Sequence, residues 1–291
     1  MTTARHRTCL LLTLVAATFG GFAGGAAASA QDASGWDAQP HTAARLIAGA
    51  KSKASNATFV RAGIEIKLDA GWHTYWRDPG DTGVPPTFDF SGSDNVKSAT
   101  VLWPAPEQFP DGAGGTSIGY VDHVVLPLRV TPDDPAKPSS LHLKLGYAVC
   151  GNLCIPAEAH LQLALNGDGA EEAAIEKAEV RVPRRVPLGP TGNGLAILAV
   201  HREPAKPHDR VVVEVAAPAG VPIALFVEGP TPDWSLPQPA PLEKPAARDT
   251  ATRRFAFDLD GLPPDAKAAG AVLTFTAVSA GDAIEVAAHL D

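Results

Sequence analysis

The chain has 291 residues, 45% of them hydrophobic and 19% charged, with a formal net charge of −8. That acidic balance excludes nucleic acid and anionic lipid surfaces as electrostatic partners, because no basic stripe is present to displace counterions. The length allows one large domain or two of ordinary size, and 27 prolines and 27 glycines point to short strands and many turns rather than long helices.

Residues 1–30 read as an export signal. Arg5, His6 and Arg7 precede an apolar run from Cys9 to Phe19, and a small-residue stretch ends in Ala28-Ser29-Ala30, an A-x-A pattern that sets cleavage after Ala30. The apolar run is too short to span a bilayer, and later apolar stretches are broken by Glu214, Pro218 and Pro222. Cys9 follows Arg7-Thr8 rather than a lipobox and leaves with the signal. The expectation is an exported, periplasmic protein whose remaining cysteines, Cys150 and Cys154, meet an oxidising compartment.

From residue 58 the pattern alternates, with Val60, Ala62, Ile64, Ile66 and Leu68 on one face and Arg61, Glu65 and Lys67 on the other. This is the period-two signature of a half-buried strand. A turn at Gly71 leads into Trp72-His73-Thr74-Tyr75-Trp76 and then a Gly/Pro loop over 78–86. Further strands are predicted over 87–90, 96–103, 123–130, 141–149 and 160–165. Leu141, Leu143, Leu145, Tyr147 and Val149 form a core stripe, so Cys150 begins the next loop on the opposite face.

Residues 170–179, rich in Ala and Glu with Ile175 inward, are the predicted helix, and Pro183, Pro187 and Pro190 mark a linker. A second run of strands covers 194–201, 210–216, 222–228, 253–259, 271–278 and 283–289, with a Pro-rich loop after 229 too long for a simple turn. The expected fold class is all-β. Two immunoglobulin-like antiparallel β-sandwich domains, over 31–168 and 191–291, are joined by a short helix and Pro-rich linker at 169–190.

Only Gly151, Asn152 and Leu153 separate the two cysteines. Gly and Asn both tolerate positive φ, and the flanks read as strands, which makes the motif a hairpin. A three-residue loop sets its flanking residues opposite each other, about 4.5–5.5 Å apart at Cα, and a disulfide needs roughly 4.4–6.8 Å. A bridge over so small a loop stabilises by only roughly 2 kcal/mol in the chain-entropy model, and exposed bridges are the more readily reduced ones. Short structural disulfides also occur in secreted proteins, so the spacing leaves a staple and a working redox centre equally open. No cation lies within the motif to activate a thiolate, the nearest titratable residues being Lys144, Glu158 and His160. A passive relay needs less, because its partner supplies the attacking sulfur.

Other candidate chemistry is thin. Asp78 and Asp81 lack the alternating oxygen ligands of a calcium loop. Ser91, Ser93 and Ser117 lack a nucleophile elbow, and His123 and His142 read as solvated strand residues. Trp72, Tyr75 and Trp76 read as core and rim, since aromatics favour strands.

Four segments, in order, resemble a known family: Gly71-Trp72-His73-Thr74-Tyr75-Trp76-Arg77, Trp103-Pro104-Ala105-Pro106-Glu107-Gln108-Phe109, Gly119-Tyr120 before 122–128, and Tyr147-Ala148-Val149-Cys150-Gly151-Asn152-Leu153-Cys154-Ile155-Pro156. The family is the periplasmic N-terminal region of the DsbD-type protein-disulfide reductases, especially the ScsB-like branch linked to copper tolerance. The resemblance is good over about 42–165 and weaker over the second domain. It implies an immunoglobulin-like sandwich whose cysteine pair takes electrons from a membrane-embedded thiol reductase and passes them to periplasmic thioredoxin-like or disulfide-containing proteins. No cofactor is implied. By motif position Phe109 is the residue of a cap loop over the disulfide, with Glu107 beside it, and His73 and Tyr75 line the site. The chain departs from the family's best-studied members in its shorter Cys–Cys loop. It also has neither the transmembrane conduit nor the C-terminal thioredoxin-like domain, so the donor is expected in trans.

Copper is the rival expectation. Two thiolates suit Cu(I), and copper carriers with a Cys-x-x-x-Cys motif followed by proline exist. Those motifs sit at a strand-to-helix junction rather than in a hairpin, and the chain after the signal has no methionine, leaving a distant histidine as third ligand.

Overall fold

The computed structural model describes residues 1, 32–54, 57–80, 83–110, 115–165, 169–192, 194–242 and 251–291. The export-signal reading and Asp81 of the Gly/Pro loop lie outside the described residues. No helix among the described residues is long and apolar enough to cross a membrane.

The strands are β1 (Asp37–Gln39), β2 (Thr42–Ala54), β3 (Ala57–Leu68), β4 (His73–Gly80), β5 (Thr87–Asp89), β6 (Ser98–Val101), β7 (Glu107–Pro110), β8 (Thr116–Val121), β9 (His123–Thr131), β10 (Ser139–Cys150) and β11 (Cys154–Leu165), then helix α1 (Glu172–Glu179). After the helix come β12 (Arg184–Arg185), β13 (Ala196–Glu203), β14 (Arg210–Ala216), β15 (Ala224–Glu228), β16 (Ala240–Pro241), β17 (Thr252–Asp258), β18 (Val272–Ser279) and β19 (Asp282–His289).

Strands β1 to β11 form two facing sheets, ordered β1-β2-β3-β9-β6 and β11-β10-β4-β8-β7, with β5 added beside β10. The inward faces of β3, β9 and β10 fill the space between them: Val60, Ala62, Ile64 and Ile66 meet Leu126, Leu128, Leu141, Leu143 and Leu145 in one core. Strands β12 to β19 form a second pair, β12-β19-β18-β15 and β13-β14-β17-β16, around Val211, Val213, Val215, Phe255, Phe257 and Phe275. The protein is all-β with two antiparallel sandwiches, as its alternating patterns predict; the short β12, within the predicted linker, is the exception that runs parallel to β19.

Three differences from the sequence reading have local causes. Strand β2 was not among the predicted strands, because Ala43-Ala44-Arg45-Leu46-Ile47-Ala48-Gly49-Ala50 carries no clean alternation; its register shifts between Ala48 and Lys51. The strand predicted over 160–165 begins at Cys154, since pairing with β10 continues to the loop. Phe109, which the resemblance places in a cap loop, lies in the short strand β7, paired with Ser117 of β8.

Helix α1 packs Ile175 and Ala178 against Ile47 and Val125 on the outer face of the first sheet. Arg61 pairs with Glu172, Glu176 and Glu179, and Arg45 with Glu65 and Glu171, so the helix is fixed by ion pairs as well as by apolar contact. The two sandwiches meet along β4. Fully buried Trp76 packs on Phe226 of β15 with ring centroids 5.8 Å apart, and Phe226 enters the first core.

Candidate functional site

Hairpin β10–β11 pairs residue for residue from Ser139↔Leu165 to Cys150↔Cys154, leaving Gly151, Asn152 and Leu153 as its tip. The cysteines are bonded, S–S 2.10 Å, with Cα atoms 4.1 Å apart, a little closer than a plain ladder predicts. Because Leu141 to Val149 point inward at odd positions, Cys150 points outward. It lies apart from the main core in a small cluster with Tyr75 and Ala148. The two sulfurs differ in access: Cys150 is 1% exposed, whereas Cys154 is an exposed residue.

Strand β4 supplies what surrounds the bridge. Cys150 pairs with His73 and Val149 with Thr74, and the Thr74 hydroxyl donates to the Ala148 carbonyl at 2.9 Å, locking the two strands together. Alternation then places His73 and Tyr75 on the face of Cys150, with Thr74 and Trp76 inward. The buried Tyr75 hydroxyl lies 3.0 Å from Cys150 Sγ and 3.5 Å from Cys154 Sγ. The His73 ring stands edge-on to Tyr75 at 5.6 Å, and its buried Nε2 has no hydrogen-bond partner. Partial burial pushes the His73 pKa below the ordinary imidazole value, because the cation is less well solvated there.

Phe109 completes this face. Its ring lies 4.4 Å from that of His73, tilted by 60°. Gly119 makes the approach possible: it pairs with both Tyr75 and Glu107, and a Cβ there would sit 1.9 Å from the Thr74 carbonyl oxygen. Glu107 occupies the same strand as Phe109 and is exposed. The structure thus gathers Cys150, Cys154, Tyr75, His73 and Phe109, with Glu107 at the rim. His73, which the resemblance places at the lining of the site, is the cross-strand neighbour of Cys150. Among the described residues no group of three His, Cys, Asp or Glu side chains has metal-holding geometry.

Two supports escaped the sequence reading. The His41 ring stacks flat on Trp72 at 3.9 Å while its Nδ1 pairs with Asp69 at 2.9 Å. Trp72 in turn lies against the hairpin tip, where a Cβ on Gly151 would come within 3.1 Å of the indole. Gly83 presses on Tyr75 in the same way, its would-be Cβ 2.7 Å from Tyr75 Cδ1. The glycines were visible, but nothing local in the sequence says which ring each one faces. Beside Cys154 an apolar groove of about 250 Å³ runs between Val84, Pro85, Ala148 and Pro156, and Leu153 at the hairpin tip is 59% exposed.

A small hairpin disulfide on the outer face of an antiparallel sandwich, with one open and one covered sulfur, has the access that thiol–disulfide exchange requires. Residues 43–166, most of the first sandwich, match the family model described as thiol:disulfide interchange protein DsbD, N-terminal, and the first sandwich is similar to domains of that type. The whole fold is similar to the crystal structure of the N-terminal periplasmic domain of ScsB from Proteus mirabilis. The two are 24% identical with a TM-score of 0.68, over 89% of this chain and 98% of that one. No curated protein matches the sequence.

Proposed function

We propose that the protein is a periplasmic electron relay. It accepts electrons from a membrane-embedded thiol reductase supplied in trans and passes them to periplasmic disulfides through Cys150 and Cys154. In this reading residues 1–30 are the export signal, 31–168 the redox domain, 169–190 the helix and linker, and 191–291 a second domain that braces the first. The observation that carries the reading is the asymmetry of the bridge, with an exposed Cys154 bonded to a covered Cys150 whose sulfur lies 3.0 Å from the Tyr75 hydroxyl.

The exchange follows from that asymmetry. A partner thiolate attacks Cys154 Sγ, the accessible atom. The new intermolecular S–S bond forms as the Cys150–Cys154 bond breaks, and the electron pair goes to Cys150 Sγ. Tyr75 donates its O–H to that emerging thiolate, a charge-assisted hydrogen bond in a site closed to water. A second partner thiol then attacks the partner's own sulfur, which releases Cys154 and leaves this protein reduced. The reverse sequence delivers two electrons to a substrate disulfide. Phe109 over His73 restricts access from the β7 side until a partner displaces it.

Trapping tests the assignment. In Cys150→Ser the exposed Cys154 is expected to hold partners as stable mixed disulfides, resolved on non-reducing gels, whereas Cys154→Ser captures few. Equal capture by both variants, or by neither, counts against the relay.

A further inference from the structure

The exchange just described leaves one step without an agent. When the reduced protein attacks a substrate disulfide with Cys154, the resulting mixed disulfide is resolved by Cys150, and a neutral thiol is a poor nucleophile. Cys150 is 1% exposed, so bulk water cannot readily carry its proton away. Tyr75 touches the sulfur, but a phenol is a donor at neutral pH and cannot serve as the base.

Among the described residues, the titratable neighbour paired across the ladder is His73. It stands directly across the ladder from Cys150, on the same face, where cross-strand Cβ atoms lie about 4.5–5.5 Å apart. Its Nε2 is buried and unpartnered, an orphaned polar atom that asks for a role. Its ring is sandwiched between Tyr75 and Phe109, which hold it in the site. Among the described residues, the titratable groups near His73 on its face of the sheet are Tyr75 on β4, Cys150 on β10, Cys154 on β11 and Glu107 on β7; β8 opposes His73 with the uncharged Val121, followed by Asp122 at the turn.

We propose that His73 is the base that takes the proton of Cys150 when this thiol resolves a mixed disulfide on Cys154, an assignment that rests on the exchange reading above. The proton passes from Cys150 Sγ to the neutral imidazole. The thiolate then attacks Cys154 Sγ, the Cys150–Cys154 bond forms, and the substrate sulfur departs with the electron pair. The imidazolium returns its proton to that leaving thiolate or to water once Phe109 moves aside. The cysteine pair is oxidised by two electrons and the substrate disulfide is reduced by the same two. Partial burial lowers the imidazole pKa, so near pH 7 the ring stands neutral with a lone pair available for that proton, and it gives the proton up readily afterwards.

The test separates the two thiols in time. Reduced full-length protein is mixed with equimolar 5,5′-dithiobis(2-nitrobenzoate), and release of the coloured thiolate is followed by stopped flow. Attack by Cys154 releases the first equivalent and resolution by Cys150 the second; Cys150→Ser retains the first alone. The second phase should rise with pH through an ionisation below about 6.5 and then level off. In His73→Gln it should slow at least about tenfold, with no plateau, while the first phase stays within about twofold. A second phase in His73→Gln within twofold of the parent, with the same pH profile, overturns the proposal. Should that variant fail to fold, the parent profile decides, since a second phase without an ionisation below about 6.5 overturns it equally. If the parent releases no second equivalent at all, the exchange reading itself fails.

Discussion

Arg77 grips Glu228 across the boundary between the two sandwiches, Nε to Oε1 at 2.8 Å and Nη2 to Oε2 at 2.7 Å, and the same Nη2 reaches Glu285 at 2.6 Å. The strand that carries Tyr75 is therefore tied to β15 and β19. Burial alone would lower the Arg77 pKa, but the two carboxylates outweigh it and hold the guanidinium firmly charged. Arg77→Met leaves Glu228 without its cation and Glu285 with Arg185 alone, the two carboxylates close together and largely buried. We expect a loss of about 2–4 kcal/mol, read from the urea midpoint, with Arg77→Lys recovering part of it.

Removing the Tyr75 hydroxyl tests the leaving-group role. A hydrogen bond to a charged group is worth about 1.5–3 kcal/mol, so Tyr75→Phe should slow reduction of the bridge by dithiothreitol roughly 10- to 100-fold. Quenched alkylation measures the rate, and unchanged thermal stability would show that packing survived. An unchanged rate would assign Tyr75 to packing.

Phe109→Ala opens the β7 side of the site. The variant should react with a small thiol several-fold faster than the parent, measured by the same alkylation assay. If Phe109 merely fills space on the sheet, the rate stays the same and only stability falls, by about 1–3 kcal/mol for a half-buried ring.

Much of this was legible in the chain. Five inward residues from Leu141 to Val149 fix the face of Cys150, and the structure places that cysteine with Tyr75 and Ala148 outside the core. The three-residue loop likewise fixes the Cys150↔Cys154 pairing. What could not be read is long-range or too short to carry a pattern. Strand β7 has four residues, begins after Pro106 and ends in Pro110, and exists because β8 offers it an edge. The partners of Arg77 come from β15 and β19, far along the chain, and leave no local periodicity. His41 acts through a stack on Trp72 that depends on how two turns meet, one of them held by a positive φ of 64° at His41 itself.

Acid should destabilise the protein in two stages. Burial would raise the Glu65 pKa, but hydrogen bonds and charges from Arg45 and His123 bring it below the ordinary carboxylate value. Its stabilisation is present above the unfolded-state pKa of about 4.3 and is lost as pH falls through the lower folded value. His73 acts at higher pH: below about 6.5 the unfolded chain takes up a proton that the folded site resists, so stability falls as pH drops from there towards the folded value. Both slopes have the same sign. Urea midpoints against pH should flatten below about 6.5 in His73→Gln, and below about 4.5 in Glu65→Gln.

The exchangeability of the Cys150–Cys154 bond is tested most directly by its reduction potential, from equilibration of the full chain in glutathione or dithiothreitol buffers with alkylation of the free thiols. The account predicts a value above about −300 mV, within reach of periplasmic thiol partners. A value well below that would make the bridge a structural staple and contradict the relay.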